Sequence, residues 1–309
     1  MPEPNWQDAI KHPAFRGHGA KWVLRKWLNG FLNVPHESFV EPFCQTASIL
    51  LTRPRSSIEV INDLNGDVTN FFEVLRSNRH ELIYQIQLTP WAIEEYRKCW
   101  EPSNDPLERA RRFYARSHMS MRMATSQQKN PGFRRQKRLS TKSGNGRMSH
   151  APNTFKDISH LWLIADRLLG VQIENGKAQW VIKTYDEPTA IQFCDPPYPH
   201  VVRKRRDDYA KGCEMSDREH EDLLSQLKKS KSMIAISSYR KAIQSKKTVY
   251  NEIYLDMLSD WEMHTKTTDS QNSKREEVVF LNPALMNARE VAERQLKRRY
   301  PLLERIKNE

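Results

Sequence analysis

One short run of residues has the acceptor-rich pattern that suits chemistry on an amino group. The predicted strand Ala190–Cys194 leads directly into Asp195, Pro196, Pro197 and Tyr198. Proline has a fixed φ and no N–H, so Pro196 and Pro197 can offer free carbonyl acceptors at a rigid strand end. Asp195 adds an anionic acceptor and Tyr198 adds an aromatic face. This pattern predicts a site that holds a planar base by its exocyclic amino group.

Such a site would activate a poor nucleophile, because the lone pair of an amino group on a heterocycle is conjugated with the ring. If both N–H hydrogens are accepted by the protein, the nitrogen can rehybridise toward an electrophilic methyl group held in line with it. The alternative is that D-P-P-Y is only a tight turn after a strand, since Asp and Pro are common turn residues. The four residues alone do not decide between these interpretations.

Alternating strands and helices position this run. We predict strands at 37–43, 58–63, 171–174, 190–194, 233–237 and 277–281, and helices at 45–52, 67–76, 80–88, 91–100, 106–118, 155–169, 216–229 and 284–299. This alternation predicts an α/β fold with a mostly parallel, doubly wound sheet, whose ligands bind at the carboxyl ends of the strands. We assign residues 1–77 and 157–309 to the sheet domain and residues 78–156 to a helical, basic insertion.

Composition excludes several classes of protein. The chain has 309 residues, of which 38% are hydrophobic and 28% charged, so it can bury a core. No apolar run approaches the roughly 20 residues that cross a bilayer, and residues 1–12 lack a secretory signal, so we expect a cytoplasmic protein without a membrane partner. Cys44, Cys99, Cys194 and Cys213 are far apart and form no C-x-x-C, which predicts buried thiols and no metal site.

The positive charge is concentrated in one segment. The net charge is +12, and residues 109–156 contain thirteen Lys or Arg and no acidic residue, so the rest of the chain is nearly neutral. Aromatic residues and loop formers interleave with these charges, a pattern typical of phosphate neutralisation with base stacking. The predicted nucleic-acid contacts are Arg116, Arg122, Lys129, Arg134, Arg135, Lys137, Arg138, Lys142 and Arg147.

Several longer motifs lie along the chain in a fixed order. They are H-G-A-K-W (18–22), F-V-E-P-F (39–43), A-S-I-L-L-T-R-P-R-S (47–56), N-D-L-N-G-D-V-T-N-F-F-E-V-L-R (62–76), V-Q-I-E-N (171–175), F-C-D-P-P-Y-P-H (193–200), E-M-S-D-R-E-H (214–220) and E-V-V-F-L-N-P (277–283). In content and order they resemble the Dam-type family of DNA adenine methyltransferases over residues 18–283. The resemblance implies a Rossmann-like domain, S-adenosylmethionine as methyl donor, and a target-recognition lobe in the basic insertion.

The resemblance also implies roles for single residues. Asp195, Pro196 and Tyr198 would hold an adenine flipped out of double-stranded DNA, and Asp195 would also lie near the cofactor. Lys21 would contact the methionine end of the donor, and Asp63 would bind its ribose hydroxyls. The residues implied to line the cofactor pocket are Glu41, Pro42 and Phe43. Besides DNA, a cognate restriction nuclease would be a partner if the protein protects DNA against restriction. We expect the protein to be a monomer or a weak dimer. The recognition sequence does not follow from these motifs.

Four departures from the family pattern surround the implied donor site. The loop after Phe43, usually glycine-rich, reads Cys44-Gln45-Thr46. The N-terminal motif has Gly19-Ala20 where two glycines are usual before its lysine, and Gly17 in place of an aromatic residue. Gly176-Lys177 stands in place of an acidic residue, and Ser238 in place of a glycine. They motivate an alternative, a DNA-binding relative with weak or absent methyl transfer. We favour the active enzyme because Lys21, Asp63 and Asp195 remain. Methylation of RNA, or of a protein glutamine, is a third interpretation that fits the motif order less well.

Overall fold

The computed structural model describes residues 4–17, 19–121, 132–135, 151–203, 209–244, 247–270 and 273–299. Its strands are β1 (Ser38–Glu41), β2 (Ile58–Asn62), β3 (Gln172–Glu174), β4 (Ala190–Cys194), β5 (Met233–Gln244), β6 (Lys247–Tyr250), β7 (Glu262–Ser270) and β8 (Ser273–Leu281). They form one sheet in the order β3-β2-β1-β4-β5-β8-β7, and β6 pairs with the end of β5. The strands β3, β2, β1, β4 and β5 are parallel, whereas β8, β7 and β6 join by antiparallel pairing.

Helices lie before, between and after the strands. They are α1 (Trp6–Ala9), α2 (Arg25–Phe31), α3 (Gly66–Ser77), α4 (Arg79–Leu88), α5 (Ile93–Lys98), α6 (Pro106–Met119), α7 (Ala151–Lys156), α8 (Ser159–Arg167), α9 (Ala178–Thr184), α10 (Asp217–Lys228), α11 (Glu252–Met257) and α12 (Pro283–Arg299), with short 3-10 helices at Lys21–Val23, Leu50–Thr52 and His200–Val202. The mixed α/β architecture with a mostly parallel central sheet confirms the predicted fold class.

The order of the strands follows from their composition. Every residue of β1 and β4 is buried, as expected for central strands of a parallel sheet that is covered on both faces. Since β2, β1, β4 and β5 are neighbours and parallel, their carboxyl ends lie along one edge of the sheet. The residues that follow each of these strands therefore lie along this edge.

The inserted helices pack on the sheet domain through an aromatic cluster. Phe71 and Phe72 of α3 meet Phe113 and Tyr114 of α6, and the Phe71 and Tyr114 rings stack with centroids 5.9 Å apart. The α6 helix begins where Asp105 accepts backbone N–H groups from the first turn and Pro106 occupies its first position. The insertion and the sheet domain therefore share one buried core, and the boundaries at 78 and 156 stay a prediction.

Some predicted elements were wrong in kind or length. Residues 45–52 form turns and a 3-10 helix rather than an α-helix, because Gln45 and Ala47 have positive φ angles of 43° and 48°. Residues 155–169 form two helices, α7 and α8, rather than one. The strand predicted at 233–237 extends to Gln244, and β6, β7, α1, α2, α9 and α11 were not predicted from the sequence. The strand β7 escaped detection because it is an exposed edge strand whose sequence has no apolar alternation.

The described residues hold few candidates for other sites. Within them, no helix is long and apolar enough to cross a membrane. They also contain no cluster of three or more His, Cys, Asp or Glu side chains that could hold a metal ion. All four cysteines are free thiols; Cys44, Cys99 and Cys194 are buried as predicted, whereas Cys213 is only half-buried.

Candidate active site

Two acidic residues predicted to bind ligands, Asp63 and Asp195, lie along the carboxyl edge of the sheet. Asp63 follows β2 and Asp195 follows β4, with β1 between them. Two strand spacings separate these ends by about 10 Å. Pro42 and Phe43, which follow β1, lie between the two carboxylates and line the same cavity. The sheet thus brings together residues that are far apart in sequence.

One oxygen of Asp195 is held from two sides. Lys21 Nζ lies 2.9 Å from Asp195 Oδ1, and Ser237 Oγ of β5 donates a hydrogen bond of 2.6 Å to the same oxygen. The Asp195 side chain is 18% exposed and lines the cavity. Among the described residues, no hydrogen-bond donor reaches Asp195 Oδ2. This oxygen is therefore available to accept an N–H from a ligand.

Lys21 and Tyr198 form a buried pair behind Asp195. Lys21 Nζ donates to the Gly19 carbonyl at 3.0 Å and lies 4.8 Å from the centre of the Tyr198 ring, a cation–π contact. Burial by itself lowers the pKa of Lys21, but the Asp195 and Glu277 carboxylates outweigh burial and raise it above its usual value. The ammonium therefore stays protonated beside the Asp195 side chain.

The Tyr198 side chain is fixed by residues of β5 and β8. Its hydroxyl donates to Glu277 Oε2 at 3.1 Å, and its ring meets the Tyr239 ring edge-on with centroids 4.6 Å apart. Only 4% of Tyr198 is exposed, since the Lys21 ammonium lies over the ring. A base can stack on Tyr198 only if the Lys21 side chain moves aside.

A cavity of about 480 Å³ runs along this edge of the sheet. Asp63 and Asp195 line it together with apolar side chains, among them Phe43, Leu64 and Met215. Tyr209 also lines the cavity, and burial raises the pKa of its hydroxyl above the usual value. A site with two carboxylates and an apolar wall fits a ligand that has hydroxyl or cationic groups and a flat apolar part.

Asp63 is both a cavity residue and a structural cap. Its two carboxylate oxygens accept the backbone N–H groups of Gln45 at 2.9 Å and Asn65 at 2.8 Å. A carboxylate offers about four lone-pair positions, so each oxygen can still accept a ligand hydroxyl. Burial raises the pKa of Asp63 to about 6, against the opposing effect of the two backbone hydrogen bonds. Asn62 adds polarity nearby by accepting the N–H of Gly176 at 2.9 Å.

Glu41 does not line the cavity as the resemblance implied. It is buried beneath the loop after β1, where Glu41 Oε1 accepts the backbone N–H of Leu50 at 2.5 Å. Burial raises the pKa of Glu41 to about 8. Glu41 is the last residue of β1, and its side chain caps the turn that follows instead of facing the cavity. Pro42 and Phe43 line the cavity as expected.

The loop that lacks glycines adopts a backbone that favours glycine. Gln45 and Ala47 both lie in the left-handed region, with φ of 43° and 48°. The Gln45 side chain lines the cavity. A Cβ atom at Gly17 would lie 2.6 Å from Gln45 Oε1 and 2.7 Å from Thr46 Cγ2. Gly17 therefore leaves the space that the side chains of Gln45 and Thr46 fill, and the two departures from the family pattern compensate each other in space.

The described basic residues divide into two groups. Arg116 is paired with Asp67, and its neighbour Arg109 on α6 bonds the same carboxylate at 2.5 Å, so Arg116 does not present a free charge as the sequence predicted. Arg134 is half-buried and Arg135 is exposed beside the Phe133 ring. The other predicted contacts lie outside the described residues: Arg122, Lys129, Lys137, Arg138, Lys142 and Arg147.

Sequence reasoning missed the side chains that position Asp195 and Tyr198. Ser237, Tyr239 and Glu277 come from β5 and β8, and their roles depend on antiparallel pairing of Tyr239 with Glu277. A signal was present, since Ser237 ends a predicted strand and ligand-binding residues cluster at such ends. The pairing partner was not visible in the sequence.

Comparison with known protein families identifies the family of this chain. A sequence model of the D12 class of N6 adenine-specific DNA methyltransferases matches residues 18–270. The chain belongs to this family. Comparison with curated proteins gives no match. Membership makes the chain a methyltransferase that acts on adenine in DNA, and it confirms the Dam-type resemblance. The candidate active site lies within the matched residues, except for Glu277.

Proposed function

We propose that the D12-class chain transfers a methyl group from S-adenosylmethionine to the exocyclic amino nitrogen of an adenine flipped out of duplex DNA. The observation that carries this proposal is Asp195 at the end of β4, with Oδ1 held by Lys21 and Ser237 and the side chain facing the cavity. The Ser237 hydroxyl keeps this acceptor oriented for an N–H donor when the Lys21 side chain turns toward the methyl donor.

The residues of the cavity fit the proposed donor. Asp63 retains lone pairs for the ribose hydroxyls, and Phe43 and Leu64 supply an apolar wall for the adenine ring. When bound, the donor supplies an electrophilic methyl group on a sulfonium, and the sulfur leaves as a neutral thioether. The spacing of about 10 Å between the ends of β2 and β4 would put the ribose near Asp63 and the methyl group near Asp195.

The protein would act on the target base through hydrogen bonds. Asp195 Oδ2 accepts one N–H of the amino group and the Pro196 carbonyl accepts the other, so the lone pair is freed toward the methyl group. The new N–C bond leaves a surplus proton on nitrogen, and Asp195 Oδ2 is the nearest base to receive it. Lys21, whose ammonium now lies over Tyr198, would turn toward the methionine carboxylate and uncover the ring for stacking.

The test is transfer of tritiated methyl from S-adenosylmethionine to unmethylated genomic DNA, with RNA as a parallel substrate. We expect label in DNA adenine, and we expect Asp195→Ala to lower turnover by at least about 1,000-fold with DNA affinity within about twofold, because the contact acts at the reacting nitrogen. Circular dichroism checks that the variant folds. Full activity of the variant, or label only in RNA, would contradict the proposal.

The alternative function is DNA binding without efficient transfer, and the observation that favours it is the Gln45 side chain in the cavity. Titration calorimetry separates the two. Micromolar binding of S-adenosylmethionine supports the enzyme, whereas no binding at millimolar donor, together with salt-dependent DNA binding, supports the alternative.

A further inference from the structure

The strand that carries Ser237 continues beyond the candidate active site. Residues Lys241–Gln244 of β5 pair with β6 in antiparallel register. The ladder between β5 and β8 shifts between Tyr239 and Lys241, which marks a bulge at Arg240. Bulges bend a strand and increase its twist, and they often re-aim strands next to active sites. Beyond this bulge β5 pairs with β6, and we name residues 240–244 and 247–250 the β5–β6 ribbon.

The position of the ribbon is fixed relative to the site. At about 3.3 Å per residue, Ile243 lies roughly 20 Å along the strand from Ser237. Both strands of the ribbon pack against the 3-10 helix His200–Val202, which begins two residues after Tyr198. At its base, buried Asn251 donates from Nδ2 to Ser238 Oγ at 2.9 Å and to the Tyr239 carbonyl at 3.2 Å. The ribbon is therefore anchored beside the 3-10 helix that follows D-P-P-Y and to the strand that carries Ser237.

One face of the ribbon exposes two apolar side chains. The register places Lys241 opposite Tyr250 and Ile243 opposite Thr248, so these four side chains share a face. Ile243 is 57% exposed and Tyr250 is 44% exposed. A two-stranded ribbon has little stability of its own in water, so exposed apolar side chains on it indicate a binding surface.

The basic residues of the ribbon indicate an anionic partner. Arg240 and Lys241 share the single carboxylate of Glu276, at 3.4 and 3.0 Å, and Lys247 is exposed near the tip. The ribbon therefore carries more positive than negative charge, with Lys241 beside the Tyr250 ring on one face and Lys247 on the other, which suits phosphates and bases. A two-stranded β-ribbon also has the width that the major groove of B-DNA admits.

We propose that the β5–β6 ribbon enters a groove of the substrate duplex beside the adenine that is methylated. Lys241 and Lys247 would contact phosphates, and Ile243 and Tyr250 would contact sugars or base edges. This inference rests on the proposed function, because it places the target adenine at Asp195. It adds a second DNA contact to the one predicted for the basic insertion, on the opposite side of D-P-P-Y in the sequence.

The test measures the affinity for a duplex of about 30 base pairs by fluorescence anisotropy over a range of salt concentrations. Lys241→Gln with Lys247→Gln is expected to reduce the slope of log K against log salt by about 2, at about 0.9 per phosphate contact. The matched control, Lys183→Gln with Lys231→Gln, removes the same charge at the opposite edge of the sheet, in the last turn of α9 and just before β5, and should leave the slope unchanged.

A second pair of changes probes the apolar face. Ile243→Ser with Tyr250→Ser is expected to weaken binding about 5- to 50-fold while the salt slope stays the same, since it removes groove contacts but no charge. Circular dichroism confirms that each variant folds. The difference between wild type and the serine variant should vanish on a duplex too short to reach the ribbon.

Different results would overturn the two proposals. If wild type methylates DNA but all ribbon variants bind DNA with wild-type affinity and slope, the ribbon does not contact DNA. If Ile243→Ser with Tyr250→Ser instead abolishes a concentration-dependent dimer seen by sedimentation, the face binds a second copy and the proposal is wrong. Absence of methyl transfer by wild type would contradict the proposed function alone, because the salt slopes do not depend on turnover.

Discussion

At the scale of single residues, Asp195 acts within a group of side chains. Its Oδ1 atom has two hydrogen-bond donors, the Lys21 ammonium and the Ser237 hydroxyl, at 2.9 and 2.6 Å. Because these two neighbours hold the rotamer of the carboxylate, it loses less conformational entropy when a ligand binds. They also fix the position of Oδ2. Ser237 is therefore a positioning residue, and its removal tests the role of orientation separately from charge.

Ser237→Ala removes one of the two contacts to Asp195 without changing the charge of the site. We expect kcat to fall about 10-fold, roughly 1.4 kcal/mol, with KM for DNA and for the donor changed by less than about twofold. Ser238→Ala is the matched control, because Ser238 is buried on the same strand but bonds Asn251 instead. Steady-state kinetics measures both variants. Equal kcat values for both variants would mean that Ser237 has only a structural role.

At the scale of elements, the loop after β1 and the N-terminal segment are fitted to each other. Gly17 leaves space for the Gln45 and Thr46 side chains, and the loop keeps a left-handed backbone at Gln45 without glycine. A left-handed non-glycine residue costs about 1–2 kcal/mol. The hydrogen bond from the Gln45 N–H to Asp63 holds the loop in this shape.

This fit predicts non-additive stability changes. Gly17→Ala is expected to lower the free energy of unfolding by about 1–3 kcal/mol, because the new methyl group overlaps Thr46 and Gln45. In a background of Gln45→Gly with Thr46→Gly, the same change should cost at least about 1 kcal/mol less. Gly30→Ala is the control, since nothing lies within 4 Å of its Cβ position. Urea denaturation gives each value, and strictly additive effects would rule out the coupling.

At the scale of the whole molecule, buried titratable groups decide how stability depends on pH. Burial lowers the pKa of His118 to about 3 and those of His160 and His220 to about 4. The unfolded chain binds protons at these histidines below about pH 6.5 and the folded chain does not, so stability falls as the pH drops. Burial raises the pKa of Glu41 to about 8 and of Asp63 to about 6, which opposes that loss.

The lowered pKa values of the three histidines destabilise the folded chain as the pH drops, and the raised pKa values of the two carboxyl groups offset part of this effect. We therefore expect the free energy of unfolding to fall by about 1 kcal/mol per pH unit between about pH 6 and pH 4.5. His118→Gln should flatten this dependence by up to about 1.4 kcal/mol per unit, because it removes one titrating group. His80→Gln serves as the control, since His80 is exposed. Denaturant titrations at several pH values measure the slopes. An identical slope for wild type and His118→Gln would show that His118 is accessible to protons in the folded chain.

Local patterns in the sequence predicted the parts of the molecule that depend on neighbouring residues. The strand Ala190–Cys194 was predicted to the residue, since a short buried apolar run ends at two prolines. The capping box of Ser216 and Glu219 at the start of α10 is likewise a local signal. Asp63 and Asp195 were placed at strand ends by the same logic, and the structure brings both to the cavity.

Tertiary structure alone decided the rest, because it depends on pairing between distant segments. The sequence by itself determined the fold class, the family resemblance and the position of D-P-P-Y. The antiparallel pairing of β5 with β8 decided that Glu277 reaches Tyr198 and that β5 extends into the β5–β6 ribbon. The packing of α6 against α3 decided that Arg116 pairs with Asp67, so that basic residues of the same segment differ in their free charge. Composition records how many charges a segment has, and only the fold determines which of them meet a partner.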